Sequence, residues 1–207
     1  GGILTGVGSI TGTVVNAAAV VPGNNGLGSL RVTGSYIQTT NGALDIVLGG
    51  TGTDQFGQLN VVVNNNYYSS ASLAGTLNLS PANSFTPAIG DQFQILSCAK
   101  LSGTFTLPPT FPAGIEVTYS NHGVFLTVTG AVIWPTPPTF RPPVLREGNL
   151  NFGFQTISGQ SYTLQTNDDL TEAAWGDFIS LVGNGSTIEF AVPVTNVPTR
   201  LFRLRQP

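Results

Sequence analysis

Apolar and polar residues alternate with a period of two along much of the chain, in short runs broken by glycine and asparagine. The alternation is plain in Leu30-Arg31-Val32, Tyr36-Ile37-Gln38, Leu44-Asp45-Ile46-Val47-Leu48, Leu59-Asn60-Val61-Val62-Val63 and Leu77-Asn78-Leu79. Such a period sends successive side chains to opposite faces of a strand. Turn residues fall between the runs: Pro22-Gly23-Asn24-Asn25-Gly26, Asn41-Gly42, Gly49-Gly50-Thr51-Gly52 and Asn64-Asn65-Asn66. The pattern predicts an all-β chain. Strands this short fit either the hairpins of a sandwich or the rungs of a parallel β-solenoid. Asn41-Gly42 by itself favours a hairpin turn. The recurrence of strand–glycine–strand units favours rungs, each burying its inward residues against the next.

A second strand-rich stretch follows. It comprises Leu150-Asn151-Phe152-Gly153-Phe154, Tyr162-Thr163-Leu164-Gln165, Phe178-Ile179-Ser180-Leu181-Val182, Ile188-Glu189-Phe190-Ala191-Val192 and Leu201-Phe202-Arg203-Leu204-Arg205. This reads as a small antiparallel β-sandwich. Asp169-Leu170-Thr171-Glu172 has the spacing of a capping box and predicts one short helical turn running to Trp175. Alternation along the last strand puts Arg203 and Arg205 on one face, either solvated or facing an acidic glycan or a neighbouring subunit, with Phe202 and Leu204 on the other.

Charge divides the chain between these stretches. Residues 1–133 carry six charged side chains and residues 134–207 carry eleven. At the boundary stands Trp134-Pro135-Thr136-Pro137-Pro138-Thr139-Phe140-Arg141-Pro142-Pro143, which must run extended because proline fixes its own φ and restricts its predecessor. The expected organisation is a short β-solenoid with a β cap over residues 1–133, a proline-rich linker over 134–143, and the sandwich over 144–207.

Composition narrows the function classes. The 207 residues are only 8% charged, with a net charge of -3 and seven scattered basic residues. A nucleic-acid groove needs clustered Lys and Arg, so no nucleic-acid partner is expected. No apolar run reaches the ~20 residues of a membrane-spanning helix. The chain has no Met and opens Gly1-Gly2-Ile3, as expected of a processed chain or a piece of a longer one. One lysine, no methionine and abundant Thr and Asn suit an extracellular or cell-surface protein. Cys98, the single cysteine, ends the apolar run Phe93-Gln94-Ile95-Leu96-Ser97 and is expected to be a small buried residue, with an intermolecular disulfide or a reactive thiol as the alternatives.

Residues from about 12 to 130 resemble the last rungs and terminal cap of the passenger-type β-helix in large bacterial surface and autotransporter-like proteins. The matching stretches are Val21-Pro22-Gly23-Asn24, Gly28-Ser29-Leu30-Arg31-Val32-Thr33-Gly34-Ser35-Tyr36-Ile37-Gln38, Gly42-Ala43-Leu44-Asp45-Ile46-Val47-Leu48-Gly49-Gly50, Gln58-Leu59-Asn60-Val61, Leu73-Ala74-Gly75-Thr76-Leu77, and the run from Phe85-Thr86-Pro87 to Leu96. The resemblance implies a β-helix, secretion and an adhesive or structural role, with no catalytic residues to carry over. Full passengers have many more rungs, and no outer-membrane barrel pattern follows here. Ser161-Tyr162-Thr163-Leu164-Gln165, Asp169-Leu170, Trp175 and Arg200-Leu201-Phe202-Arg203-Leu204 resemble a C-terminal module of secreted bacterial proteins, whose implied role is surface display or sugar contact.

Candidate chemistry is sparse. His122, the one histidine, sits in Ser120-Asn121-His122-Gly123 between two strand patterns, where a hairpin turn explains it better than a catalytic base. No His/Cys cluster suits zinc. Asp45, Asp54, Asp91 and Glu116 form no paired constellation for glycoside cleavage. The expectation is therefore no enzyme, no cofactor and no metal. Asn167-Asp168-Asp169 offers oxygen ligands for calcium, but turn and capping chemistry uses the same atoms. Lys100 as an isopeptide staple needs an acidic neighbour that no pattern identifies. Asn78-Leu79-Ser80 and Asn184-Gly185-Ser186 match the N-glycosylation acceptor pattern. Tyr67-Tyr68, Phe56, Phe105 and Phe111 read as core or cross-strand aromatics before they read as sugar platforms.

The ends of a solenoid leave rows of unpaired N–H and C=O groups that must be capped, charged or paired with another chain. The segment from Ile3 to Val15 contains no charge and no proline, so its strands suit pairing with a second copy. Ile3, Leu4, Val7, Ile10, Val14 and Val15 are the expected assembly residues. The alternative is that this segment is an internal rung of a longer protein. The expected function is an extracellular structural protein that assembles with copies of itself into a filament or surface coat. Its rival is an adhesin or carbohydrate-binding module, with polysaccharide or covalent glycans as partners. A fragment of a polysaccharide lyase is a distant third.

Overall fold

The computed structural model describes residues 2–63, 69–136, 138–169, 171, 174–194 and 200–205. The chain divides into two units, Gly1–Pro135 and Thr136–Pro207. Among the described residues both are built of β-strands, with no helix long and apolar enough to cross a membrane.

In the first unit the chain visits three sheets in rotation. The first circuit is β1 (Ile3–Gly6), β2 (Gly8–Thr11) and β3 (Val14–Asn16); the second is β4 (Ala19–Pro22), β5 (Gly28–Thr33) and β6 (Tyr36–Gln38). The third is β7 (Ala43–Leu48), β8 (Gly57–Val62) and β9 (Ser70–Leu73); the fourth is β10 (Thr76–Pro81), β11 (Gln92–Ser97) and β12 (Lys100–Gly103). Each strand pairs in parallel with the strand three places on. This gives the orders β1-β4-β7-β10 and β2-β5-β8-β11, and the order β3-β6-β9-β12. A hairpin of β13 (Ala113–Ser120) and β14 (Gly123–Ile133) closes the series, with β14 antiparallel to β11.

Register explains the core. Like residues stand over like: Leu4 over Val20 over Leu44 over Leu77, and Ile10 over Val32 over Val61. Leu44, Leu77, Val32 and Leu59 are fully buried, each such side chain stabilising the unit by roughly 1.5–3 kcal/mol through burial. Outward positions carry the polar partners, as where Asn78 stands beside Asp45 and donates to its carboxylate at 2.7 Å. Asn41-Gly42 turns a corner rather than a hairpin, because β6 and β7 belong to different sheets. Glycine is required at some corners: Gly75 has φ +66, and a Cβ there would lie 2.1 Å from Gly42 O.

The second unit holds two three-stranded antiparallel sheets. One has the order β15 (Val144–Arg146), β16 (Asn149–Gln155), β19 (Thr187–Pro193); the other has β18 (Gly176–Val182), β17 (Ser161–Asn167), β20 (Leu201–Arg205). Phe152, Leu164 and Val192 are the buried centre, with Leu150, Phe190, Phe202 and Leu204 packed around them. The end of the proline-rich stretch, from Phe140, lies along this unit's first sheet. Phe140 bridges Phe154, and Arg141 N–H donates to Gly153 C=O at 2.8 Å, after which Val144 pairs with Asn151. Four steps on this strand thus match three on β16, so Pro142 and Pro143 form a bulge at a sheet edge, where a missing N–H costs no ladder bond.

Candidate functional site

The strands β1, β2 and β3 each pair on one side only, with β4, β5 and β6. Their bonds to the second circuit follow the alternation of a parallel ladder. Gly12 N–H donates to Thr33 C=O at 3.0 Å and Val14 N–H to Ser35 C=O at 2.9 Å, while at the end of β1 Gly6 and Gly23 exchange an antiparallel pair of bonds at 3.1 and 2.9 Å. Asn16 C=O accepts from Thr39 N–H at 2.9 Å. Since consecutive residues in a strand point their amides to opposite sides, Val15 between Val14 and Asn16 aims its N–H and C=O away from the second circuit. The same alternation applies to Ile3, next to Gly2, whose C=O accepts from Ala19 N–H at 3.5 Å.

The six expected assembly residues lie together on this first circuit but play two parts. Leu4, Ile10 and Val14 are half-buried against the core. Ile3, Val7 and Val15 are exposed by 69%, 64% and 61%. The segment therefore presents three unpartnered backbone edges flanked by large apolar side chains, with no charge among them. Opposite-sign charge or proline normally protects such an edge; here neither is present.

At the other end of the first unit β11 is covered along its length and β10 at one bridge, while β12 ends its sheet as β3 does. β14 lies along β11, Thr106 C=O accepts from Leu77 N–H at 3.2 Å, and Thr106 N–H donates to Gly75 C=O at 2.7 Å. Sheet β2-β5-β8-β11-β14-β13 consequently has β2 at one edge and β13 at the other.

The other sequence candidates are dispersed. His122 stands in the two-residue turn between Ser120 and Gly123, and its Nδ1 donates to Ala99 C=O at 3.0 Å. Cys98 is buried and unpaired, and burial raises its thiol pKa. Phe56 and Phe105 are buried, Phe56 edge-on to Phe93 at 5.2 Å, and Phe111 packs against the same core. Tyr67 and Tyr68 lie outside the described residues, as do Leu170 and Glu172 of the expected capping box. Both Asp168 carboxylate oxygens accept from Arg200, at 2.7 and 2.8 Å, and Asp169 Oδ1 accepts from Thr171 N–H and Oγ1–H. These contacts lower both aspartate pKa values, Asp168 chiefly through Arg200 and Asp169 chiefly through Thr171. No group of three or more His, Cys, Asp or Glu among the described residues is placed to hold a metal.

Arg203 and Arg205 do share the outward face of β20, with Phe202 and Leu204 inward. Arg203 is already engaged: Nε donates to Gln165 Oε1 at 2.7 Å, and its guanidinium lies 4.4 Å from the centre of the Trp175 ring. The two glycosylation sequences differ in kind. Asn78 is part-buried in the middle of β10 with its amide nitrogen on Asp45, whereas Asn184 is exposed in a turn. There Ser186 donates both N–H (3.0 Å) and Oγ–H (2.7 Å) to Asn184 Oδ1.

Sequence patterning missed a network deeper in the first unit. Asn16 Nδ2 donates to Tyr36 Oη, Gln38 Oε1 and Ala43 C=O, and Gln38 Nε2 donates to Ala74 and Thr76 C=O at 2.9 and 3.0 Å. These buried amides satisfy carbonyls at two successive corners, Ala43 at the first and Ala74 and Thr76 at the next. The only signal was a polar residue at an inward position of two neighbouring strands. No protein-family model matches the chain, and no curated protein matches it.

Proposed function

We propose that the chain is an extracellular structural protein whose first unit is a short parallel β-solenoid, capped by β13–β14 at one end and open at the other, joined to a small antiparallel β-sandwich. Its function is self-assembly into a filament or surface coat by strand addition at the first circuit. The observation that carries this reading is the set of three unprotected backbone edges on β1, β2 and β3, in a segment free of charge and proline.

A filament needs a head-to-tail contact that does not close on itself. Pairing β2 of one copy with β13 of the next meets that need, because the two strands are opposite edges of one sheet. Backbone hydrogen bonds supply the strength, and alternating apolar side chains fix the register. Low charge and the resemblance to passenger-type surface proteins support placement outside the cell.

The test is electron microscopy of the full chain over a range of concentrations, beside a chain lacking residues 1–15 and a Thr11→Pro variant, Thr11 being on β2 next to Gly12, whose N–H faces β5. Ordered fibres from the parent chain and none from either variant are expected. Monodisperse particles at every concentration overturn the reading and favour a binding module; closed dimers overturn the head-to-tail contact.

A further inference from the structure

The outer face of sheet β15-β16-β19 carries a cleft of ≈ 600 Å³. Its hollow follows from the register. On this face Gly153 stands opposite Glu189 and Asn151 opposite Ala191, so the middle of the sheet has two positions with little or no side chain. Glu189 folds across Gly153, where a Cβ would meet its Oε2 at 2.5 Å. The extended strand of residues 140–146, stiffened by Pro142 and Pro143, forms one wall.

Charge converges on this hollow. Arg141 Nη1 lies 3.4 Å from Glu189 Oε1, and its Nη2 donates to Thr187 Oγ1 at 2.9 Å, which holds the guanidinium in place. Arg146 also lines the cleft, is exposed, and has no ion-pair partner among the described residues. Two arginines against one carboxylate leave the cleft net positive in a chain of net charge -3. A planar guanidinium matches a carboxylate with two parallel hydrogen bonds. Asn151 Nδ2 is held by the Val144 and Asn149 carbonyls, so Asn151 Oδ1 and the Glu189 carboxylate are the acceptors suited to hydroxyls, and Val144 supplies an apolar patch.

We propose that this cleft binds a carboxylated sugar, the uronic acid residues of an acidic polysaccharide, with Arg146 as the principal carboxylate contact and Arg141 as a fixed second donor. The site lies wholly in the second unit and stands or falls independently of assembly through the first.

The test is titration of the isotope-labelled full chain with trigalacturonate, followed by amide NMR shifts, with cellotriose and inorganic sulfate as parallel titrants. Saturable shifts at Gly153 and Ala191 with trigalacturonate, and weaker ones with both controls, are the expected result. Arg146→Ala should weaken affinity about tenfold or more, in line with losing a charge-assisted pair. Ala191→Leu should fill the hollow and abolish binding; this position is exposed, so its fold is checked by unchanged shifts elsewhere in the unit. No saturable shift with trigalacturonate, or affinity unchanged in both variants, overturns the site. Equal binding of cellotriose removes the role of the arginines, and equal binding of sulfate removes the sugar.

Discussion

Asn16 and Gln38 stand directly over one another on neighbouring strands, Asn16 Nδ2 donating to Gln38 Oε1 at 3.2 Å, and both are almost fully buried. Gln38 turns its own amide to the carbonyls of Ala74 and Thr76. Replacing it with alanine strands these acceptors in the core, where an unsatisfied group costs ~1–3 kcal/mol. Chemical denaturation should show Gln38→Ala lowering the stability of the first unit by about 2–3 kcal/mol, with second-unit amide signals keeping their midpoint.

Tyr36 completes the cluster, its hydroxyl donating to Gln38 Oε1 at 2.6 Å. Burial, opposed by the Asn16 contact and reinforced by Asp45, raises its pKa well above 10. Above the unfolded tyrosine pKa of ~10 the folded state therefore holds a proton that the unfolded state has lost. The stabilisation is complete below that pH and fades as pH climbs beyond it. Spectrophotometric titration should find one tyrosine that ionises only as the first unit unfolds, and Tyr36→Phe should remove that step.

Gly75 occupies a left-handed corner where a Cβ would collide with Gly42 O and Thr39 O, 2.1 and 2.5 Å away. Gly75→Ala combines backbone strain of ~1–3 kcal/mol with displacement of the next circuit. A loss of at least about 2 kcal/mol in the first unit is expected by urea denaturation. A cost below about 0.5 kcal/mol would show that the corner relaxes freely.

Asp168 and Arg200 tie the end of β17 to the start of β20. The arginine holds the Asp168 pKa below its ordinary value. Its contribution is therefore present above the unfolded carboxyl pKa of ~3.9 and is lost as pH falls through the lower folded value. A carboxyl-detected NMR titration should place Asp168 below the ordinary aspartate value, and Arg200→Gln should return it to the ordinary range.

Asn184 and Asn78 should differ as glycan acceptors on the folded chain. Offered to an N-glycosylating oligosaccharyltransferase, the exposed turn at Asn184 should be modified, while Asn78, mid-strand with its nitrogen on Asp45, should not. Peptide mass mapping distinguishes the two. Modification of Asn78 in the native chain would mean that β10 opens readily.

Local pattern alone was sufficient for many of the strands, though not for the short β9, β12 and β15. Period-two alternation marked β5, β7, β8 and β10, the turn residues around His122 marked the β13–β14 hairpin, and the apolar run ending at Cys98 marked its burial. These features depend on side chains within a few residues, so no distant contact had to be known. The six apolar residues of the first circuit were legible for the same reason, since the absence of charge and proline is visible along the chain. Which strand pairs with which was decided only in three dimensions. Asn41-Gly42 has identical local chemistry in a hairpin and at a corner; only the partners of β6 and β7, β9 and β10, tell them apart. The proline-rich stretch shows the same limit. Proline dictated an extended backbone, but whether that backbone spans a gap or lies along a sheet depends on Gly153 and Phe154 being there to receive it. The cleft beside it, and the Asn16–Tyr36–Gln38 cluster, arise from residues on different strands whose meeting is set by register, a property of strand pairs that no single strand carries.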